Sequence, residues 1–135
     1  VKPVRNALRI GSLTVMLALL GAAPALASWR HLRSVRVTVD NASLPPPGGQ
    51  PRTTSFLPGH GLRRAQHALN ANHIHRLTPG RPLIDCTGGF SIVIKIVEES
   101  SKVVKLNGYR CGGITFGRIG GNLPRFLKAV GVSAP

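Results

Sequence analysis

The sequence predicts a small α+β domain: a small antiparallel sheet with one main helix packed across it, a disulfide-bounded β-hairpin and a short C-terminal helix. Three observations predict it. Residues 34–40 and 90–97 alternate in hydropathy with the period of two of a half-buried strand. Residues 62–77 contain neither Gly nor Pro and carry an apolar stripe at helical spacing. The only two cysteines, Cys86 and Cys111, bracket the second alternating stretch together with the apolar run after it.

The fold is expected to begin only at residue 28. Lys2, Arg5 and Arg9 give a positive start without an acid, an uncharged run follows from 10 to 27, and Ala25-Leu26-Ala27 offers small residues at both positions a signal peptidase reads. Pro24 breaks a helix just before that site. These are the three regions of a secretory signal peptide, with cleavage expected between Ala27 and Ser28. The alternative is an uncleaved anchor. The uncharged run of 18 residues approaches the shortest membrane span, but Gly11, Ser12, Thr14, Gly21 and Pro24 dilute it. Residues 28–135 are then one domain, secreted to the extracellular space, with no stable membrane span after cleavage. They keep 15 of the chain's 18 cations and all four of its acids, a net charge of +11.

Within that domain, Val35, Val37 and Val39 face one way and Arg36 and Thr38 the other, a strand with one wet face. Residues 44–58 hold Pro45-Pro46-Pro47-Gly48-Gly49, Pro51 and Pro58, and read as an extended surface loop without regular structure. The expected main helix, 62–77, puts Leu62, Ala65, Leu69, His73 and Leu77 on one stripe and is stopped by Pro79-Gly80. Phe90, Ile92, Ile94 and Ile96 form the inward face of the next strand, with Ser91, Val93, Lys95 and Val97 outward. Polar residues 98–101 turn the chain into a second strand. A turn centred on Glu98-Glu99 sets Cys86 opposite Cys111, so a disulfide closes the open end of the hairpin. By chain-entropy arguments such a closure is worth roughly 3–4 kcal/mol, and an exported chain meets the oxidising conditions it needs. Asn107-Gly108 reads as a bulge in the second strand or as a further turn. Residues 112–117 form a short strand or extend the second one. Asn122 caps a short helix, 123–130, with Gly131 beyond its end.

Composition narrows the chemistry. The only carboxylates are Asp40, Asp85, Glu98 and Glu99, of which the glutamates sit at the expected hairpin tip. No G-x-S-x-G elbow and no Cys–His signature is present. Four histidines crowd between 60 and 75, yet on one helix His67 and His73 point about 120° apart and His73 and His75 about 160° apart, so they cannot share a metal. A helix that ends early would leave His73 and His75 in extended chain and reopen that question. No cofactor and no metal is expected. The enzyme reading that needs least is a ribonuclease-like phosphodiester hydrolase, with His60 at the helix mouth as its acid–base group and Arg63 and Arg64 on the phosphate.

The stronger signal is positive charge. Arg30, Arg33 and Arg36 recur every three residues, and Arg63-Arg64 open the helix. An excess of this size attracts polyanions with strong salt dependence. The expected function is therefore a non-enzymatic binding module for an anionic extracellular partner, an anionic polymer or an acidic protein, contacted through Arg30, Arg33, Arg36, Arg63 and Arg64. Aromatics make up only 4% of residues, so no specific nucleic-acid readout is expected.

The Ala25-Leu26-Ala27 leader, Val-rich strand, Pro-rich loop, helix and hairpin bounded by Cys86 and Cys111 resemble small secreted proteins of actinobacterial type. The run from Cys86 to Cys111 is also similar to the second disulfide-bounded hairpin of the subtilisin-inhibitor-like family. That resemblance implies a protease-binding loop at Thr87-Gly88-Gly89-Phe90 and protease inhibition as a further reading. The family's other disulfide and its Asp-Pro-Val stretch have no counterpart here, and Gly88-Gly89 departs from the rigidity that gives inhibitors their affinity.

Overall fold

In the computed structural model, residues 28–41 and 49–134 are described. The expected leader and the Pro45-Pro46-Pro47 run lie outside them. The elements in order are β1 (Leu32–Asp40), β2 (Arg52–Phe56), α1 (His60–Ala71), β3 (His75–Arg81), β4 (Phe90–Glu98), β5 (Val103–Cys111), β6 (Ile114–Gly120) and α2 (Leu123–Ala129). The strands make one antiparallel sheet in the order β2-β1-β4-β5-β6-β3.

One core joins the inward faces of the strands to both helices. Val35, Val37 and Val39 of β1, Ile92, Ile94 and Ile96 of β4 and Leu106 of β5 meet Leu62, Ala65 and Leu69 of α1 and Leu123, Phe126 and Leu127 of α2. The expectation of a single helix across the sheet holds only in part. α1 packs on β1 and β2, whereas α2 covers β6, and the two helices touch each other.

The main helix ends six residues sooner than its apolar stripe predicts. His73 takes a left-handed conformation (φ 53°), its N–H reaches the carbonyl of Asn70, and the N–H of Ile74 reaches that of Leu69. This is a Schellman cap, completed by the buried Leu69 and Ile74. Asn72 adds a side-chain bond from Nδ2 to the Ala68 carbonyl at 2.8 Å. The chain then re-enters the sheet as the edge strand β3, which carries Leu77 and the cis Thr78–Pro79 peptide. His73, expected on the apolar stripe, is exposed.

Three further expectations change. Residues 52–56, inside the stretch read as loop, form edge strand β2, paired with β1 from Val35↔Phe56 to Val39↔Arg52; its five residues lie between Pro51 and Pro58 and contain no proline. The β4–β5 hairpin runs from Phe90↔Arg110 to Val97↔Val103, so the turn centres on Ser100 rather than Glu98-Glu99. Left-handed Ser101 (φ 68°) and bonds from Glu98 N–H to Lys102 and from Ser101 N–H to Glu98 close it. Asn107-Gly108 is neither bulge nor turn: both residues stay in register with β4. The glycine is needed for close approach, because a Cβ there would come within 2.8 Å of Ile119. The tight turn falls instead at Gly112-Gly113, whose positive φ values of 55° and 84° suit a two-residue hairpin between β5 and β6.

Cys86 and Cys111 are joined, with Cα atoms 6.3 Å apart. The segment before β1 is tied down as well. The Trp29 indole N–H donates to the Ile74 carbonyl at 2.6 Å, and the Asn70 side chain both accepts from the Trp29 N–H and donates to its carbonyl. Asn122 caps α2 through Arg125 N–H at 3.1 Å, as its position predicts.

Candidate functional site

The face of the sheet turned away from the helices carries the notable chemistry. Strand alternation sends every second side chain of β1, β4 and β5 to that face. The register then decides which of them meet. Arg36 lies directly opposite Lys95, and Lys95 directly opposite Lys105. With strands about 4.8 Å apart, three cations form a line about 10 Å long across the middle of the sheet. Arg76 of β3, opposite the core residue Ile119 in register, reaches the Lys105 end of this line by donating from Nη2 to the Lys105 carbonyl at 3.3 Å. All four side chains are exposed.

Among the described residues no acid lies within ion-pair distance of them. Among the described residues the ion pair is His31 with Glu99, 3.9 Å apart at the β4–β5 turn and solvent-exposed on both sides. Asp40 sits at the far end of β1 opposite Ser91, and Asp85 lies in the loop before β4. Like charges about 5 Å apart repel by about 0.8 kcal/mol in water, and directly opposed like charges weaken a sheet. The row therefore costs stability, whereas serine or threonine at the same positions would not.

The structure separates the five arginines chosen from sequence. Arg36 belongs to the row. Arg33 is exposed at the register shift of β1 between Leu32 and Ser34. Arg30 is exposed and bonds to the Ser28 hydroxyl at 3.3 Å. Arg63 and Arg64 are exposed on α1, in the layer on the other side of the core from Arg36. His60 is the exposed first residue of α1, its side chain without a hydrogen bond or ion pair among the described residues. His73 and His75 do fall after the helix, where the ring Nδ1 of His75 bonds to the His73 carbonyl at 2.7 Å. No group of three or more His, Cys, Asp or Glu among the described residues is placed to hold a metal ion. The Thr87–Gly88–Gly89–Phe90 stretch lies back against β5, where the Tyr109 hydroxyl donates to the Gly88 carbonyl at 3.4 Å.

Lys95, Lys105 and Arg76 are what sequence reasoning passed over as a group. Alternation alone marks Lys95 as outward. Bringing Lys105 beside it requires the true centre of the hairpin turn, and placing Arg76 requires the early end of α1. Compared with models of protein families, with curated proteins and with solved structures, the chain finds no match.

Proposed function

We propose that this protein is an exported, non-enzymatic binding module for an anionic extracellular polymer, held on the open face of the sheet by Arg36, Lys95 and Lys105. The observation that carries the reading is the row itself: opposed cations, exposed, with no carboxylate in ion-pair distance among the described residues, and maintained against their own repulsion. A polyanion laid across the strands would release its counterions to this row and gain affinity that falls with salt. A line of charges suits a linear polymer better than the compact patch of an acidic protein. The same face carries few aromatics, Tyr109 half-buried and Phe116 buried, so it offers no platform for stacking bases. The Cys86–Cys111 bond agrees with an oxidising compartment. Among the described residues no helix is long and apolar enough to cross a membrane.

The test is binding of a labelled single-stranded oligonucleotide, used as a generic polyanion, with polyphosphate as competitor, between about 20 and 200 mM salt. Reversing Lys95 and Lys105 to Glu should weaken binding about tenfold at low salt. It should also flatten the log–log salt slope by about 1.4, two lost contacts at about 0.7 each. The same reversal at Arg63 and Arg64, on the other layer, should leave binding nearly unchanged. Equal losses in both double variants would reduce the effect to net charge and overturn the assignment of a face. Binding insensitive to salt would overturn the reading altogether.

A further inference from the structure

A second basic feature lies away from the row, in an open groove of about 420 Å³ bounded by β3, the β5–β6 turn and the start of α2. Two guanidinium groups converge there on one residue of β6. Arg81 donates from Nη1 to the Thr115 carbonyl and Arg110 donates from Nη1 to the Thr115 hydroxyl, each at 3.4 Å. These bonds come from different strands, β3 and β5, which lie on either side of β6. Each guanidinium has five N–H donors, and each spends one on Thr115. No carboxylate lies within ion-pair distance of either among the described residues. Leu77, Ile119 and Pro124 line the same hollow, together with His75.

We propose that this groove binds a small amphipathic anion, with its oxyanion head on Arg81 and Arg110 and its apolar body along Leu77, Ile119 and Pro124. Two planar forks beside each other match the paired oxygens of a carboxylate, or those of a sulfate or phosphate ester. The volume falls in the usual range of small-molecule sites, and a few polar groups set in an apolar lining are how such sites fix orientation. The site is independent of the polymer-binding row, which uses neither arginine.

The experiment is a two-dimensional amide NMR titration of the full domain with 4-butylbenzoate. Two further probes separate the terms: 4-butylbenzyl alcohol supplies the body without charge, and acetate the head without body. Saturable shifts at Gly113 and Gly120, with affinity at least tenfold above both partial probes, are expected. Arg81→Gln, at an exposed position, should weaken 4-butylbenzoate at least fivefold while leaving the amide spectrum outside the groove unchanged. Arg110→Gln should do the same; because Arg110 is half-buried, its thermal melt is recorded to separate loss of binding from loss of fold. Lys95→Glu with Lys105→Glu should leave this titration unaltered. Equal affinity for the alcohol, shifts centred elsewhere, or an Arg81→Gln variant that binds as tightly as the parent would each overturn the proposal.

Discussion

On the side of the sheet facing the helices, β1, β4 and β5 place Val35, Val37, Val39, Ile92, Ile94, Ile96 and Leu106, all buried; on the opposite side the same strands place Arg36, Lys95 and Lys105, all exposed. Consecutive residues of one strand thus answer to different demands. The covered side is decided by packing, where volume and shape leave little choice. The open side is free of packing against a helix, so its residues can be chosen for something else. Charges gathered there at a cost in stability are for that reason the better guide to function. The largest expected effect contrasts direct neighbours. Ile94→Ala, at a fully buried site, should cost about 4 kcal/mol in urea or thermal unfolding. Lys95→Ala should stay within about 0.5 kcal/mol. Its sign should be stabilising at low salt, since two like-charged neighbours are relieved. If the two losses were similar, the open side would be a packed surface and the row an incidental feature.

The next effect concerns a region that neither side of the sheet covers. Residues 81–88 are exposed or half-buried, with Leu83 and Ile84 about two-thirds exposed, and form no strand with their neighbours beyond Arg81. Here a covalent link stands in for burial. Replacing both Cys86 and Cys111 with Ser should lower stability by roughly 3 kcal/mol, the loop-closure value for a separation of this size. Hydrogen exchange should rise most in 82–89, where burial offers least resistance to local opening, and least in β1. A uniform rise along the chain would mean that the staple serves the whole sheet and not this loop.

How much of this was legible follows the same division. Alternation made β1, β4 and the identity of the buried side readable, because a half-buried strand writes its exposure into every second residue. Register was not readable. The turn at 98–102 is closed by Ser101 in a left-handed conformation, a role serine does not announce, and the centre was misplaced toward Glu98-Glu99. A shift of that size decides whether Lys95 faces Lys102 or Lys105, so the row was hidden although each lysine was visible. The disulfide was legible from cysteine count and the expected export, yet not from strict register. Phe90 pairs with Arg110, and Cys86 reaches Cys111 through the irregular chain before β4. Strand β2 was obscured by the prolines on either side of it, and β3 by Pro79-Gly80, which read as a stop signal and instead lies within an edge strand, where proline is tolerated. The groove could not be read at all, since Arg81, Arg110 and Thr115 meet only once the three last strands are ordered.

The smallest effect tests the layer that makes one side different from the other. Both helices end in the same motif. In α2 the left-handed position is Gly131 (φ 72°), with Val132 N–H on the Leu127 carbonyl; in α1 it is His73 (φ 53°), with Ile74 N–H on the Leu69 carbonyl. Glycine occupies that conformation without steric penalty, whereas a residue with a Cβ pays about 1 kcal/mol or more. This explains why the end of α2 was readable and that of α1 was not. It also sets opposite expectations. His73→Gly should raise stability by about 1 kcal/mol, since the imidazole is exposed and little burial is lost with it, while Gly131→Ala should lower it by a similar amount. The gain at His73 is reduced by the extra freedom glycine has in the unfolded chain. A stabilisation near zero would still fit that offset only if Gly131→Ala were equally silent. A clear loss at His73→Gly would instead assign the imidazole a contact that holds α1 against the sheet.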